Sequence, residues 1–503
     1  MTLADAAVRR ATGEGARRAA VGAAFGLAIA AITMASTCRE LARAWREDAA
    51  FQWCWLVVPA VLHGLSQRLR AQGASPPRFD ARGLWATVPS AALWWFSDLA
   101  NLAVGQEVAL VIALQGIAFS ALGARLYRES FATLALLFLM VPSADVLQPV
   151  LRDVTLQGLD LLAAVVGWPH RIDGYEIAIG VQHYIVIDEC SGLASVTLSM
   201  FLGFFFGTLL YRSIWKVLAL AGGAALVGVA SNLLRVGTIV WIDRLRGSQM
   251  DLAAHADIQW LSVVAVLGLL LFALGRLRGD AAAPAAEIAQ PRAARRRDRL
   301  APLLAGLSIP LTVWALTGAG QALGAVSTGS KHAASAAMQP LPTSLAGAAR
   351  VDGGQPWKRA TDGSTATAVA IYRSEAMELS ATVVETTTPE AKLPRWQLPT
   401  TAMGHWHDMQ ATRLTPCDAR GCIAYTRLIL QGAQLDERRT MAAAYCDTGL
   451  VTDSALEVRL AHAGFRLKGL ADPQRSVVLV VSGRAPSDET LATALRAVCG
   501  LQR

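Results

Sequence analysis

Three side chains in the apolar part of the sequence would together make a thiol-based acyl-transfer chemistry: Cys190, Arg235 and His255. A cysteine attacks as its thiolate, and a nearby cation or a helix N-terminus favours that anion. Histidine takes and returns a proton near neutral pH. Arginine stabilises a thiolate or the oxyanion of a tetrahedral intermediate. Asn232 stands three residues before Arg235, on the same face of a helix that carries both, and could hydrogen-bond a substrate or orient a partner. Glu189 and Ser191 flank the cysteine in the run Asp188-Glu189-Cys190-Ser191-Gly192. The two carboxylates oppose ionisation of the thiol unless they point away or orient His255.

Each residue also has a plainer role. A lone cysteine in an apolar segment is most often a packing residue. Arg235 could snorkel outward or pair with Asp243, and His255 could be a loop residue that binds nothing. The chemical reading gains its weight from position, so the elements that carry the three residues have to be laid out first.

Of 503 residues, 53% are hydrophobic and only 17% are charged, whereas a soluble domain has about a quarter charged. The first 325 residues hold long stretches almost without charge, and the last 180 read as an ordinary soluble sequence. The net charge of +8 does not point to nucleic acid. Its arginines collect in short loops between apolar runs, the pattern of membrane topology. The N-terminal arginines precede an apolar run that many further runs follow, so this run reads as a first membrane anchor and not as a cleavable signal.

A spanning helix needs about 20 mainly apolar residues, and nine such segments are predicted: 19–37, 51–66, 84–101, 105–124, 131–150, 191–211, 216–242, 257–275 and 301–323. Residues 151–168 are amphipathic, with Arg152, Asp153, Gln157 and Asp160 among leucines, and belong at the interface or against the bundle. With the N-terminus inside, the even-numbered connections should be basic. They are: 67–83 carries four arginines, Arg125 and Arg128 follow the fourth span, Arg212 and Lys216 follow the sixth, and 276–300 carries seven arginines. Cys190 then opens the sixth span on the outer side, Arg235 lies just inside the outer end of the seventh, and His255 precedes the eighth. A charged residue inside a span costs at least about 2.5–3.5 kcal/mol on insertion scales and marks function or a buried partner.

The outer segment 169–190 reads as a small hairpin, Arg171–Ile177 with Gln182–Ile187, leading into Cys190. His170 and His183 beside it match no compact metal-ligand spacing, and no metal or cofactor is expected. Gly192-Leu193-Ala194-Ser195 does not fit a nucleophile elbow. Trp53, Trp55, Trp94, Trp95 and Phe96 read as interfacial belts, and Gly222, Gly223 and Gly228 as close helix contacts. A stretch at 324–355 rich in Ala, Gly and Ser reads as a linker. Residues 356–503 alternate strand-like runs (Ala366–Arg373, Cys422–Leu430, Ser476–Ser482) with helical patterns near 451–464 and 486–498, an α+β domain. Its four cysteines allow three complete pairings, Cys417 with Cys422 in one of them. His405 and His407 read as residues of a solvated strand.

Cys190-Ser191-Gly192 opening one span, Asn232-Leu233-Leu234-Arg235 in the next and His255 before another resemble the exosortase/archaeosortase family over roughly residues 20–280. These are membrane cysteine transpeptidases. The resemblance implies a polytopic α-helical membrane bundle of eight or nine spans (catalytic domain 19–275, basic loop 276–300, further span 301–323). A soluble α+β domain (356–503) follows, which some exosortases carry as an accessory. It implies Cys190, Arg235 and His255 as the catalytic set, with Asn232, Glu189 and Ser191 in support. It implies as partners secreted proteins bearing a C-terminal sorting signal, an acceptor nucleophile of unknown identity and the lipid bilayer. The expected location is the plasma (inner) membrane, multi-pass, with residues 1–18 cytoplasmic and the C-terminal domain periplasmic. The rival readings are a non-enzymatic scaffold or export component of an exopolysaccharide system, and a transporter. The latter would need a polar path, yet Arg235 and Glu107 are nearly the only buried charges foreseen.

Overall fold

The computed structural model describes residues 21–71, 80–100, 102–142, 144–173, 175–180, 182–186, 190–246, 268, 272, 276, 279–280, 301–327, 341–351, 365–386, 407–418, 421–431, 438–447, 450–467, 474–483 and 486–499. Among these residues, three helices are long and apolar enough to cross a membrane: Ala103–Met140, Leu193–Leu210 and Ile214–Arg246. A bent pair, α1 (Val21–Thr33) with α2 (Ala35–Glu47), makes a fourth if counted as one span. The bend is 84°, and the sequence explains it. From Arg39 onward α2 is amphipathic. It buries Thr37, Leu41 and Trp45 at a spacing of four, which is one helical face, and turns its charges outward. The expected span 19–37 thus ends near Met34, and the chain continues along a different direction.

α3 (Val57–Ala71) and α4 (Leu84–Leu99) have 15 and 16 residues, short of the length that crosses a bilayer unaided. α5 (Ala103–Ala135) contains the expected span 105–124 and the start of 131–150 in one run broken at Gly123, with φ 76° and ψ 163°. Only glycine takes that conformation at no steric cost. Gln115 Nε2 donates to Leu134 O at 2.8 Å, and the Tyr127 hydroxyl donates to Gln115 Oε1 at 2.9 Å. In a straight helix, 19 residues would separate Gln115 from Leu134 by about 28 Å, so the run folds back on itself at Gly123. The returning arm ends in a 3-10 turn, Leu136–Met140. α6 (Ala144–Val166) takes the remainder of the expected fifth span. Its buried face carries Arg152, Thr155, Leu159 and Ala163, while Asp153, Gln157 and Asp160 are exposed.

α7 (Leu193–Leu210) and α8 (Ile214–Arg246) lie side by side because glycines let their backbones approach. A Cβ at Gly228 would stand 2.8 Å from Ser195 O, and one at Gly203 would stand 2.5 Å from the Ala224 Cβ. A Cβ at Gly222 or Gly223 would meet nothing within 4 Å among the described residues. Trp53 is no belt residue: it is buried, and its Nε1 donates to Ala50 O at 2.7 Å. Trp94 donates to Thr37 Oγ1 at 2.8 Å. The segment 257–275 lies outside the described residues apart from two isolated positions.

The outer segment forms three strands where two were expected: β1 (His170–Asp173), β2 (Glu176–Ile179) and β3 (Gln182–Ile185), antiparallel in that order. Its apolar face (Ile177, Ile179, Tyr184, Val186) packs on α6 and α8 through Leu159, Val236 and Val240.

The C-terminal half is built on a nine-stranded antiparallel sheet that begins at Ser344–Leu345 and Ala348–Val351 (β4, β5), inside the stretch read as linker. β6 (Thr365–Arg373), β7 (Met377–Thr386), β14 (Arg475–Gly483), β12 (Arg438–Asp447), β11 (Tyr425–Gln431) and β8 (His407–Leu414) follow in spatial order. β13 (Leu450–Thr452) pairs with β12, and β9 (Cys417–Asp418) and β10 (Gly421–Cys422) form a separate small ladder. The helix Asp488–Val498 closes one face with Leu491, Leu495 and Val498. Disulfides join Cys417 to Cys422 and Cys446 to Cys499.

Candidate active site

Cys190 stands between two supports. From α6, Arg152 Nε donates to Val186 O at 2.5 Å, and its guanidinium lies 3.7 Å over the Tyr175 ring. Three residues further along the same helix, the Thr155 hydroxyl donates to Ser191 O at 3.3 Å. From α8, Asn232 Nδ2 donates to Cys190 O at 3.0 Å and to Thr155 Oγ1 at 3.1 Å. The backbone on both sides of the cysteine is therefore tied to two helices.

Gly192 completes the turn. Its φ of 83° puts it in the left-handed region as the residue before α7, and a Cβ there would stand 2.4 Å from Asn232 Cγ. Glycine is required by both the conformation and the contact. Ser191 Oγ accepts from Leu193 N at 3.4 Å, and Gly192 O accepts the first helical bond, from Val196 N at 3.0 Å. Cys190 thus sits just before the N-terminus of an 18-residue helix, the end whose partial positive charge favours an anion.

The thiol is in no disulfide and is half-buried, packed with the cluster around Leu159, Val186 and Val236. Arg235 is 9% exposed and lies within electrostatic reach of Cys190. Asp243, the alternative partner for Arg235, is eight residues on, about 12 Å along the axis. It stands with the outer sheet: its backbone carbonyl accepts from Gln182 Nε2 at 3.3 Å, and its charge, after burial, raises the Tyr184 hydroxyl to about 12. The structure therefore brings together Cys190, Ser191, Asn232 and Arg235. His255 and Glu189, with Asp188, lie outside the described residues.

Arg152 and Thr155 are the site residues that sequence reading did not single out. Their signal was present in the amphipathic run, where both fall on the face that carries Leu159. The two outer histidines are held by separate carboxylates. His183 Nδ1 lies 2.5 Å from Glu176 Oε1. His170 bonds Trp168 O at 2.8 Å and Asp160 Oδ1 at 2.9 Å, and those two contacts, the carbonyl first, raise its pKa above 6.5. Among the described residues no group of three or more His, Cys, Asp or Glu is arranged to hold a metal.

Asn232 has one further property. Both hydrogens of its amide are used, on Cys190 O and Thr155 Oγ1, which fixes which end is nitrogen. Its Oδ1 accepts no hydrogen bond, although the residue is only 2% exposed. A buried acceptor left in this state costs about 1–3 kcal/mol.

A helical membrane protein with a thiol at a helix mouth and a buried arginine within electrostatic reach of it is thus the class that fold and site define. Residues 45–275, the part of the chain that holds Cys190, Asn232 and Arg235, match the family model described as Transmembrane exosortase (Exosortase_EpsH). No curated protein and no solved structure matches the chain.

Proposed function

We propose that this protein is a membrane cysteine transpeptidase that cleaves a C-terminal sorting signal of secreted proteins at the outer face of its bundle. The observation that carries the reading is the placement of Cys190 at the mouth of α7 within electrostatic reach of the buried cation Arg235. A cation beside a cysteine favours the reactive thiolate, and a guanidinium there can also take up the charge of an oxyanion. The Cys190 thiolate attacks the scissile carbonyl carbon, and Arg235 stabilises the resulting oxyanion. The C–N bond breaks, and the amine leaves with a proton delivered by His255. The acyl group stays on sulfur as a thioester until an acceptor amine or water attacks it and the thiolate departs. Asn232 and Ser191 hold the nucleophile's backbone, and Glu189 supports His255.

The same reading sets the chain in a plasma (inner) membrane with eight or nine spans, including 257–275. The N-terminus is cytoplasmic and the C-terminal domain periplasmic. The arginine-rich even connections support this orientation. So do the two disulfides, which persist on an oxidising side.

The test is processing of a co-expressed protein that carries a sorting signal. Cys190→Ala and Cys190→Ser are expected to give folded, membrane-inserted protein with processing reduced to background. Normal processing by Cys190→Ala would end the proposal.

A further inference from the structure

We propose that Asn232 Oδ1 is the docking acceptor for a backbone N–H of the substrate, so that the peptide lies against the nucleophile through a main-chain hydrogen bond. The inference rests on the thiol acyl-transfer reading above and adds to it the way the substrate chain is held.

Three observations carry it. The first is that the acceptor is orphaned: Asn232 is 2% exposed, and its Oδ1 accepts nothing. Buried acceptors are nearly always paired, so one without a partner calls for an explanation such as a group that arrives later. The second is that the amide cannot turn over to relieve itself. Its Nδ2 is committed to Cys190 O at 3.0 Å and Thr155 Oγ1 at 3.1 Å, and reversing it would set an oxygen against the Cys190 carbonyl. Gly192 also lies against the amide so closely that a Cβ would stand 2.4 Å from its Cγ. The third is position. The amide holds the nucleophile's own carbonyl, so its oxygen stands beside the Cys190 loop. Whatever donor reaches it must sit beside the bond being broken. The donor that a peptide offers there, whatever its side chains, is the backbone N–H of the residue that bears the attacked carbonyl or of its neighbour.

This role separates the two ends of one side chain. Nδ2 positions the enzyme's Cys190 loop, and Oδ1 positions the substrate. It also gives the thiol a reason to prefer an extended segment with a free N–H and to reject proline at the docking position, since proline has no such donor.

The experiment uses full-length protein in lipid nanodiscs and synthetic signal-bearing peptides. Single backbone amides near the scissile bond are replaced in turn by esters, and the scissile amide itself is kept. In the wild type, an ester at one position adjacent to the scissile residue is expected to lower kcat/KM about tenfold, the scale of one buried hydrogen bond and its stranded acceptor. In Asn232→Ala, the ratio of amide to ester rates at that position is expected to fall to about one, whatever the variant's overall rate. Asn232→Asp keeps an acceptor and loses the Nδ2 donor. It is expected to be slow but to retain the ester sensitivity, which keeps the test decisive if the alanine variant fails to fold. An ester scan with no sensitive position, or equal sensitivity in wild type and Asn232→Ala, overturns the inference. Cleavage of the all-amide peptide by Cys190→Ala would instead overturn the acyl-transfer reading, and the two failures are distinct.

Discussion

In the C-terminal half, two charged pairs are complete, one of them fully buried. His462 Nδ1 lies 2.8 Å from Asp447 Oδ2 with both side chains fully buried, and Arg475 Nε lies 3.1 Å from Glu385 Oε2. The four cysteines there are consumed in two disulfides. Around Cys190 the arrangement is different. A buried guanidinium lies within electrostatic reach of a thiol that forms no disulfide, and the asparagine amide that holds the loop keeps an oxygen with no hydrogen-bond partner among the described residues. Completed pairs fix a fold. A cation set against a nucleophile, with a stranded acceptor beside it, carries a cost that folding alone does not explain. The difference is local: the His462–Asp447 pair is complete within the fold, whereas the Cys190 surroundings set a cation and an unused acceptor beside a thiol.

The comparison breaks most readily at the two arginines. Arg235→Ala should lower the rate of signal processing about 10²–10³-fold, the usual consequence of removing one stabiliser of a developing oxyanion, with the protein still inserted and monodisperse. Arg475→Ala should lower the unfolding temperature of the C-terminal domain and leave the processing rate within about twofold. Rate assays with a reporter substrate check both. Equal effects on rate would mean that the contrast between the halves is mistaken.

Next in size are the disulfides. Cys446 and Cys499 are 53 residues apart, and Cys417 and Cys422 are 5 apart. On loop-closure entropy, replacing Cys446 by Ser costs about 4 kcal/mol and replacing Cys417 by Ser about 2 kcal/mol. Denaturant titration of the C-terminal domain under non-reducing conditions reads the order. A larger loss from the short loop would contradict it.

The smallest effect is at His170. The Trp168 carbonyl and the Asp160 carboxylate hold its pKa above the ordinary 6.5. A group raised on folding stabilises fully below its unfolded pKa, and that contribution is lost as pH rises through the folded value. Hydrogen exchange at β1 should therefore speed up as pH is raised above 6.5, beyond the intrinsic rate increase, and His170→Gln should remove that excess.

Much of the site could be read in advance, and for a specific reason. Cys190 stands just before one apolar helix, and Asn232 and Arg235 lie on the next, so the order of apolar segments already made them neighbours. The spacing of three puts Asn232 and Arg235 on one face. Arg152 escaped because an amphipathic pattern shows which face is apolar, and an arginine at its edge can lie on either side. The fold-back at Gly123 was legible in outline, because the expected spans 105–124 and 131–150 part at the polar run that holds Arg125 and Arg128. One glycine at φ 76° makes the turn, two residues before Arg125. The bend after α1 was legible in the charges from Arg39 on, although the span was drawn to 37. β4 and β5 escaped because an Ala- and Gly-rich stretch carries no β signal until a sheet edge offers it hydrogen bonds.

The most direct measurement is mass spectrometry of the full-length protein quenched during turnover of a signal-bearing substrate. The account predicts a hydroxylamine-labile acyl adduct on Cys190, enriched when acceptor amines are withheld and absent in Cys190→Ala. An adduct on another residue, or sustained turnover by Cys190→Ala, would contradict it.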